Sequence, residues 1–364
     1  VKWWNTVTFD LRNVNRSSRL TSARVTKTTV VRMNLSDCFE AERVLANGYF
    51  LATQFVVVVL NVSGTMLCAY TTALIVLSQV LHINLRILLL NLSAIICLRT
   101  ALTLNRSAVN IVVGFSYKNN CELLKEAGWC SSYSAITAAP FESLVFAFTA
   151  IAFERCLATL VYKRYEKWKF PFVAIILAPF TWINIALIIH TSISKHASNN
   201  VSVSYRPYCS TVTTGYVDFG KLFSYSIPVI IASFMLFVAV YVICRRKLRL
   251  FLASKVDDLS SRYQLVENTK STKVLAILSS MYTLLVLSTL STVVAISYLK
   301  ITDLALFAII KEVSSFSMPI YVNFYPLLFL SLYEHIRDRA VRMFTSHGCR
   351  DRKCETTVGP TMSA

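Results

Sequence analysis

The chain has 364 residues, 55% of them hydrophobic and only 15% charged, and carries a formal net charge of +18. A soluble chain of this length would make two domains, but a composition so apolar points to a polypeptide whose solvent is the lipid bilayer. The basic residues lie between apolar runs and form no single stripe, which excludes nucleic acid as the partner, and eight Gly with eight Pro exclude collagenous repeats and long flexible linkers.

Residues 1 to 32 are polar, with Arg12, Arg16, Arg19, Arg24, Lys27 and Arg32 set against Asp10, and hold no apolar signal core. The composition changes abruptly at Met33, so we expect the natural start there and a gene-model extension before it; a disordered basic arm is the alternative. The chain then divides into an N-terminal segment over 1–45, a membrane domain over 46–333 and a tail over 334–364.

A hydrocarbon core of about 30 Å takes roughly 20 apolar residues per helix. Seven stretches meet that demand and predict an all-α seven-transmembrane helix bundle. The first lies between Arg43 and His82, where no charged or imidazole side chain occurs. The second runs from about Leu85 to Asn105 and carries Arg99; the third, from Cys130 to Tyr162, carries Glu142. The fourth covers Phe170 to Ile193, the fifth Lys221 to Cys244 and the sixth Val274 to Leu299. The seventh, Leu304 to Tyr333, has Lys311 and Glu312 near its start.

Lys and Arg in short loops set the orientation. One set of loops holds Arg86, Lys163, Arg164, Lys167, Lys169, the run from Arg245 to Lys273, and Arg337, Arg339 and Arg342. The other holds only Arg106, Lys118, Lys125, Lys195, Arg206 and Lys300. The first set is expected in the cytosol, with the N-terminus outside and the C-terminus inside.

Cys121, Cys130 and Cys209 then fall on the oxidising side. A Cys130–Cys209 bridge would tie the top of the third span to the loop after the fourth, but three cysteines allow three pairings, and Cys38 is either a partner for Cys121 or free. Asn200 and Asn34 open glycosylation sequons on that side, whereas the sequons at Asn61 and Asn91 lie within spans.

At the cytosolic end of the third span stands the adjacent pair Glu154-Arg155. At 1.5 Å per residue the rise from Cys130 to Arg155 is about 37 Å, the membrane from face to face. The same spacing separates the loop cysteine from the switch arginine of rhodopsin-like receptors, a resemblance that implies a G-protein switch at Glu154 and Arg155. In that switch Glu154 holds the resting Arg155 by about 1 kcal/mol if exposed; the plainer alternative is an interfacial charge pair that merely anchors the helix end.

Two further segments narrow the resemblance. FERCLATLVYKRYEKWKFP at 153–171 and SSRYQLVENTKSTKVL at 260–275 resemble the nematode serpentine chemoreceptors of the Sra superfamily, with Sre the nearest subfamily and Srab the next, over Met33 to Phe344. This resemblance implies a multi-pass receptor of the plasma membrane of sensory cells, in the sensory cilium, which binds an odorant or pheromone-like small molecule and activates a heterotrimeric G protein. The chain departs from the rhodopsin pattern in two places. Its sixth span has no proline, and its seventh has Asn323-Phe324-Tyr325-Pro326 in place of Asn-Pro-x-x-Tyr. Pro228 and Pro326 each remove a main-chain hydrogen bond and are candidates for local loosening, with simple kinking as the alternative.

Ionisable groups within spans are costly and face the bundle interior. Arg99, Glu142, Lys311 and Glu312 are therefore the ligand-pocket candidates, with an Arg99–Glu142 pairing feasible from their depths. A satisfied ion pair that only fixes helix packing is the alternative. His190 and Trp182 read as packing residues. After Tyr333, Ile336, Ala340 and Phe344 share a helical face with Arg337, Arg339 and Arg342 around it, the pattern of a helix on the inner leaflet, with Cys349 and Cys354 beyond it for palmitoylation; a disordered basic tail is the alternative.

A secondary transporter or channel is the competing class, but the chain shows neither repeated halves nor Gly-interrupted helices. The five histidines have no metal-ligand spacing, and no HExxH, GxSxG or P-loop occurs, so neither an enzyme nor a cofactor is expected.

Overall fold

The computed structural model describes residues 35–78, 81–165, 170–198, 204–210, 213, 227–253, 259–299, 301–334 and 336–342. These belong to one compact unit that runs from Met33. The elements in chain order are α1 (Leu35–Leu45), α2 (Gly48–Leu77), α3 (Ile83–Ser116), a 3-10 turn (Asn120–Leu123) and β1 (Lys125–Glu126). There follow α4 (Ala127–Leu160), α5 (Tyr162–Tyr165), α6 (Phe172–Ser198), β2 (Tyr205–Arg206), α7 (Ile227–Ala253), α8 (Leu259–Leu299), α9 (Leu304–Ser314) and α10 (Ser317–Leu332).

Seven helical stretches among the described residues are long and apolar enough to cross a bilayer: α2, α3, α4, α6, α7, α8 and the α9–α10 pair. The protein is a multi-pass membrane bundle. Its ring closes through α2–α3, α3–α4, α4–α7, α7–α8, α8–α10 and α10–α2, while α6 packs outside against α3 and α4. Within their membrane stretches α4 is 61% buried and α6 only 22%, so α4 is the central post and α6 the peripheral one. Phe55, Val59, Met66, Phe180, Ile183, Leu187 and Met235 point outward, as a helix solvated by lipid requires.

Local chemistry sets the helix ends. Asn47 breaks α1 from α2: its side-chain oxygen accepts from Tyr49 N at 2.9 Å and Phe50 N at 3.4 Å. Asp303 caps α9 in the same way through Ala305 N and Leu306 N. At Gly64 the absence of a side chain brings α2 against α10, since a Cβ there would stand 2.7 Å from Val322 Cγ1. Asn323 secures that approach by accepting from Ser63 Oγ and donating to the Leu60 carbonyl at 2.7 Å.

Three expectations change. The second span does not stop at Asn105 but continues to Ser116, which moves Arg106 from the loop into the membrane stretch. Its charge is met inside the bundle, so it does not end the helix. The seventh span is two helices, because Ser315 N turns back to the Lys311 and Glu312 carbonyls and the chain restarts at Ser317. Third, Ile336 and Ala340 of the tail belong to the main hydrophobic core, not to a face turned to the leaflet. Residues 221–226 of the fifth span, Phe344, Cys349 and Cys354 lie outside the described residues.

Candidate functional site

Two buried ion clusters occupy the two ends of the bundle. At the Cys130 end, disulfides link Cys38 to Cys121 and Cys130 to Cys209, with Cα–Cα separations of 4.6 and 5.4 Å. The first fastens α1 to the 3-10 turn. The second fastens the first turn of α4 to the segment just after the strand β2, which pairs antiparallel with β1, Lys125 opposite Arg206. Together α1, the turn and the two-stranded sheet form a roof, and the buried cluster it makes with the ends of α2 and α9 includes Cys38, Val44, Phe50, Leu123, Tyr208 and Ala308.

Beneath this roof Glu312 of α9 is almost wholly enclosed and its carboxylate is fully engaged. Arg106 Nη2 donates to Oε2 at 2.6 Å, while Lys311 Nζ at 2.9 Å and the Tyr208 hydroxyl at 2.5 Å donate to Oε1. Three elements far apart in sequence thus converge on one carboxylate. Tyr208 lies outside the spans, and its phenol is held well above its ordinary pKa by burial and by the nearby Glu312 charge, so it remains a proton donor.

Arg99 stands two turns deeper on α3. Its Nη1 donates to the Thr137 carbonyl of α4, and its Nε is buried with no hydrogen-bond partner. The charges of Arg99 and Glu142 both act on Tyr282 of α8, whose hydroxyl donates to the Phe141 carbonyl at 3.1 Å. The sequence candidates Arg99, Glu142, Lys311 and Glu312 therefore belong to one region. Arg106 and Tyr208, which sequence reasoning missed, complete it. The signal for Arg106 was its seven-residue spacing from Arg99, which places both on one helical face; nothing local marked Tyr208.

At the opposite end Glu154 and Arg155 are 0% and 2% exposed. Arg155 grips its neighbour with two bonds of 2.5 Å, Nε to Oε2 and Nη2 to Oε1. Its remaining Nη1 crosses to α8, donating to Asn268 Oδ1 at 3.2 Å and Ser271 Oγ at 3.1 Å. The hydroxyl of Tyr165 on α5 also donates to Glu154. Burial and the Glu154 charge raise the Tyr165 pKa, so this donor too stays protonated. Tyr165 packs on His82 with ring centroids 4.3 Å apart, and burial lowers the His82 pKa below 6.5. The expectation of a weak exposed pair gives way to a buried one, since α5 and α8 cover it.

An aromatic column runs from Tyr282 of α8 along α10. From Tyr282 it passes to Tyr321 at 5.5 Å, then to Tyr325 at 6.1 Å, Phe329 at 6.2 Å and Tyr333 at 5.7 Å. Tyr333 closes beside Glu334, which Lys270 of α8 meets at 3.2 Å. Asn200 and Asn34, the sequon residues, lie outside the described residues. Among the described residues no group of three or more His, Cys, Asp or Glu is arranged to hold a metal ion.

Comparison with known proteins fits this geometry. The family model described as serpentine type 7TM GPCR receptor class ab chemoreceptor matches residues 36–351. That is the Srab class, which the sequence resemblance placed second to Sre. The chain is also 25% identical over 261 residues to serpentine receptor class alpha/beta-14 of Caenorhabditis elegans, a match covering 69% of this chain and 65% of that protein's length.

Proposed function

Because the chain belongs to the serpentine type 7TM GPCR class ab chemoreceptors, we propose that it binds a small extracellular molecule and activates a heterotrimeric G protein at the plasma membrane, in the cilium of a sensory cell. In this reading the Cys130 end faces outward, and Arg99, Glu142, Lys311 and Glu312, with Arg106, line the ligand site. The Arg155 end faces the cytosol.

The observation that carries the reading is the clamp of Arg155 across α4 and α8. With Glu154 on its own helix and Asn268 and Ser271 on the other, Arg155 holds the two helices together at one face. A displacement of α8 relative to α4 at this end breaks the two bonds from Arg155 to Asn268 and Ser271 and the bond from Asn268 Nδ2 to the Ala158 carbonyl at 3.4 Å, and leaves the ion pair intact. The two from Arg155 come from a charged guanidinium, at about 1.5–3 kcal/mol each, so their loss costs roughly 3–6 kcal/mol; Arg155 must regain partners on the cytosolic side for the net cost to fall within the roughly 1–3 kcal/mol typical of allosteric coupling. Tyr282, on α8 and within the field of Arg99 and Glu142, offers the mechanical link from ligand to clamp.

The test is a ligand panel applied to cells expressing the full chain, read as a cytosolic second messenger with and without G-protein inactivation. A response that vanishes with the G protein is expected. A ligand-evoked current or uptake that persists without it would replace the receptor with a channel or transporter.

A further inference from the structure

We propose that the ligand of the site beneath the roof is a small organic monoanion, such as a carboxylate with an apolar body. The inference rests on the receptor reading above and names the chemistry of its ligand. Among the described residues three cations, Arg99, Arg106 and Lys311, face this region, against two carboxylates, Glu142 and Glu312. All five act on one another or on Tyr282 between them. The excess is one positive charge, in a place where uncompensated charge is expensive and where each ion must find a partner. A ligand bearing one negative charge completes the balance.

The direction of the open hydrogen bonds agrees. Glu312 accepts at both oxygens from Arg106, Lys311 and Tyr208, so about three of its four lone-pair sites are taken, two of them by cations. An amine arriving there would meet two cations already in place. Arg99, by contrast, keeps a buried Nε–H that donates to nothing, so the group awaiting a partner is a donor on a cation. Below it the aromatic faces of Phe141, Tyr282 and Phe148 are packed together, with Tyr282 5.0 Å from Phe148 and 6.4 Å from Phe141. The site is therefore graded, with excess positive charge towards the roof and apolar rings beneath it, and it suits an amphiphilic acid lying head outward.

The experiment uses the full chain reconstituted in lipid nanodiscs, with thermal unfolding as the readout, so that no G protein is involved. Hexanoate, octanoate, decanoate and indole-3-acetate are compared with amines and methyl esters of matching skeleton. At least one acid is expected to raise the unfolding midpoint and to bind at least about tenfold more tightly than its amine and ester, the worth of one good charge-assisted contact. Arg99→Gln is expected to erase that preference and Arg99→Lys to keep it. If Arg99→Gln fails to fold, Lys311→Gln serves in its place. A panel in which no acid surpasses its matched amine and ester overturns the proposal, as does an acid preference untouched by these substitutions in folded protein. Acid binding without G-protein signalling would leave this proposal standing and sink the receptor reading.

Discussion

The two ion clusters use the same ingredients to different ends. At the Arg155 end one cation meets one carboxylate in a two-bond grip, and the surplus donor goes to neutral acceptors on α8. The account closes within the protein, and what remains adjustable is the contact between helices. At the Cys130 end two cations share one carboxylate, while a third keeps a donor unused. On the proposed reading, the balanced pair serves as a fastener and the unbalanced cluster as the place for the missing charge. Burial is common to both, so it is the charge count, not the burial, that separates the roles.

Removing the shared carboxylate is expected to have the largest effect. Glu312→Ala strands Arg106 and Lys311, at a cost of about 3–5 kcal/mol, a large part of ordinary domain stability. Surface delivery should collapse, and the double variant with Lys311→Ala should recover part of it. Full delivery of the single variant would mean that the cluster is not closed off from solvent.

Arg155→Ala should be costly for the same reason, by about 3–5 kcal/mol, because it leaves Glu154 buried and alone. The double variant Arg155→Ala with Glu154→Gln removes both charges and should return to the surface yet fail to signal. A double variant that signals normally would reduce the pair to a helix anchor.

The roof provides a milder test. Gly114 of α3 has no room for a methyl group, since a Cβ would stand 2.8 Å from the Leu45 carbonyl oxygen and 2.8 Å from Leu51 Cδ2. Gly114→Ala should push α1 away and lower stability by about 1–3 kcal/mol, the usual cost of overpacking. Hydrogen exchange ought to show the loss in α1 and the 3-10 turn before it shows in α8. Uniform loosening would contradict a separately fastened roof.

Asn268→Ala sharpens the contrast from the other end. It removes the bond from Arg155, about 1.5–3 kcal/mol, together with the long neutral bond from Asn268 Nδ2 to the Ala158 carbonyl, without stranding a full charge, and should raise basal second-messenger output several-fold with normal surface levels. Unchanged basal output would show that Arg155 does not hold α8.

The smallest expected effect is on pH. His82 Nδ1 accepts from Asn84 N at 3.4 Å and so caps α3 in its neutral form. Its pKa in the folded protein is lowered by burial, so the unfolded chain binds the proton more readily. The stability contributed is therefore complete above about 6.5 and declines as the pH falls from there through the lowered folded pKa. Unfolding midpoints between pH 7.5 and 5 should fall, as read with about half-unit steps, and His82→Asn should flatten the slope. An equal slope in the variant would assign the effect elsewhere.

The lesson for sequence reading follows from particular residues. The apolar run from Val44 to Leu81 and the uncharged stretch of the fourth span were legible because a bilayer demands length and hydropathy, both local properties. The segment at 153–171 was legible as a family signature because its motif is contiguous. Arg106 was misread for a converse reason: a second arginine, in the polar stretch Asn105-Arg106-Ser107, reads locally as the end of the run, and its charge is met only by Glu312, 206 residues away. The break at Ser315 did carry a local signal, since Pro319 four residues on cannot donate to the Ser315 carbonyl, but the length and hydropathy of the run masked it.

Taken alone, the sequence determines that this chain spans a bilayer seven times and to which receptor superfamily it belongs, because periodicity, composition and motif are carried by neighbouring residues. The tertiary structure decided which charges are buried, which pair, and which are in excess. Those are properties of groups brought together by the fold from α3, α4, α8, α9 and the β2 loop, and no window along the chain contains them.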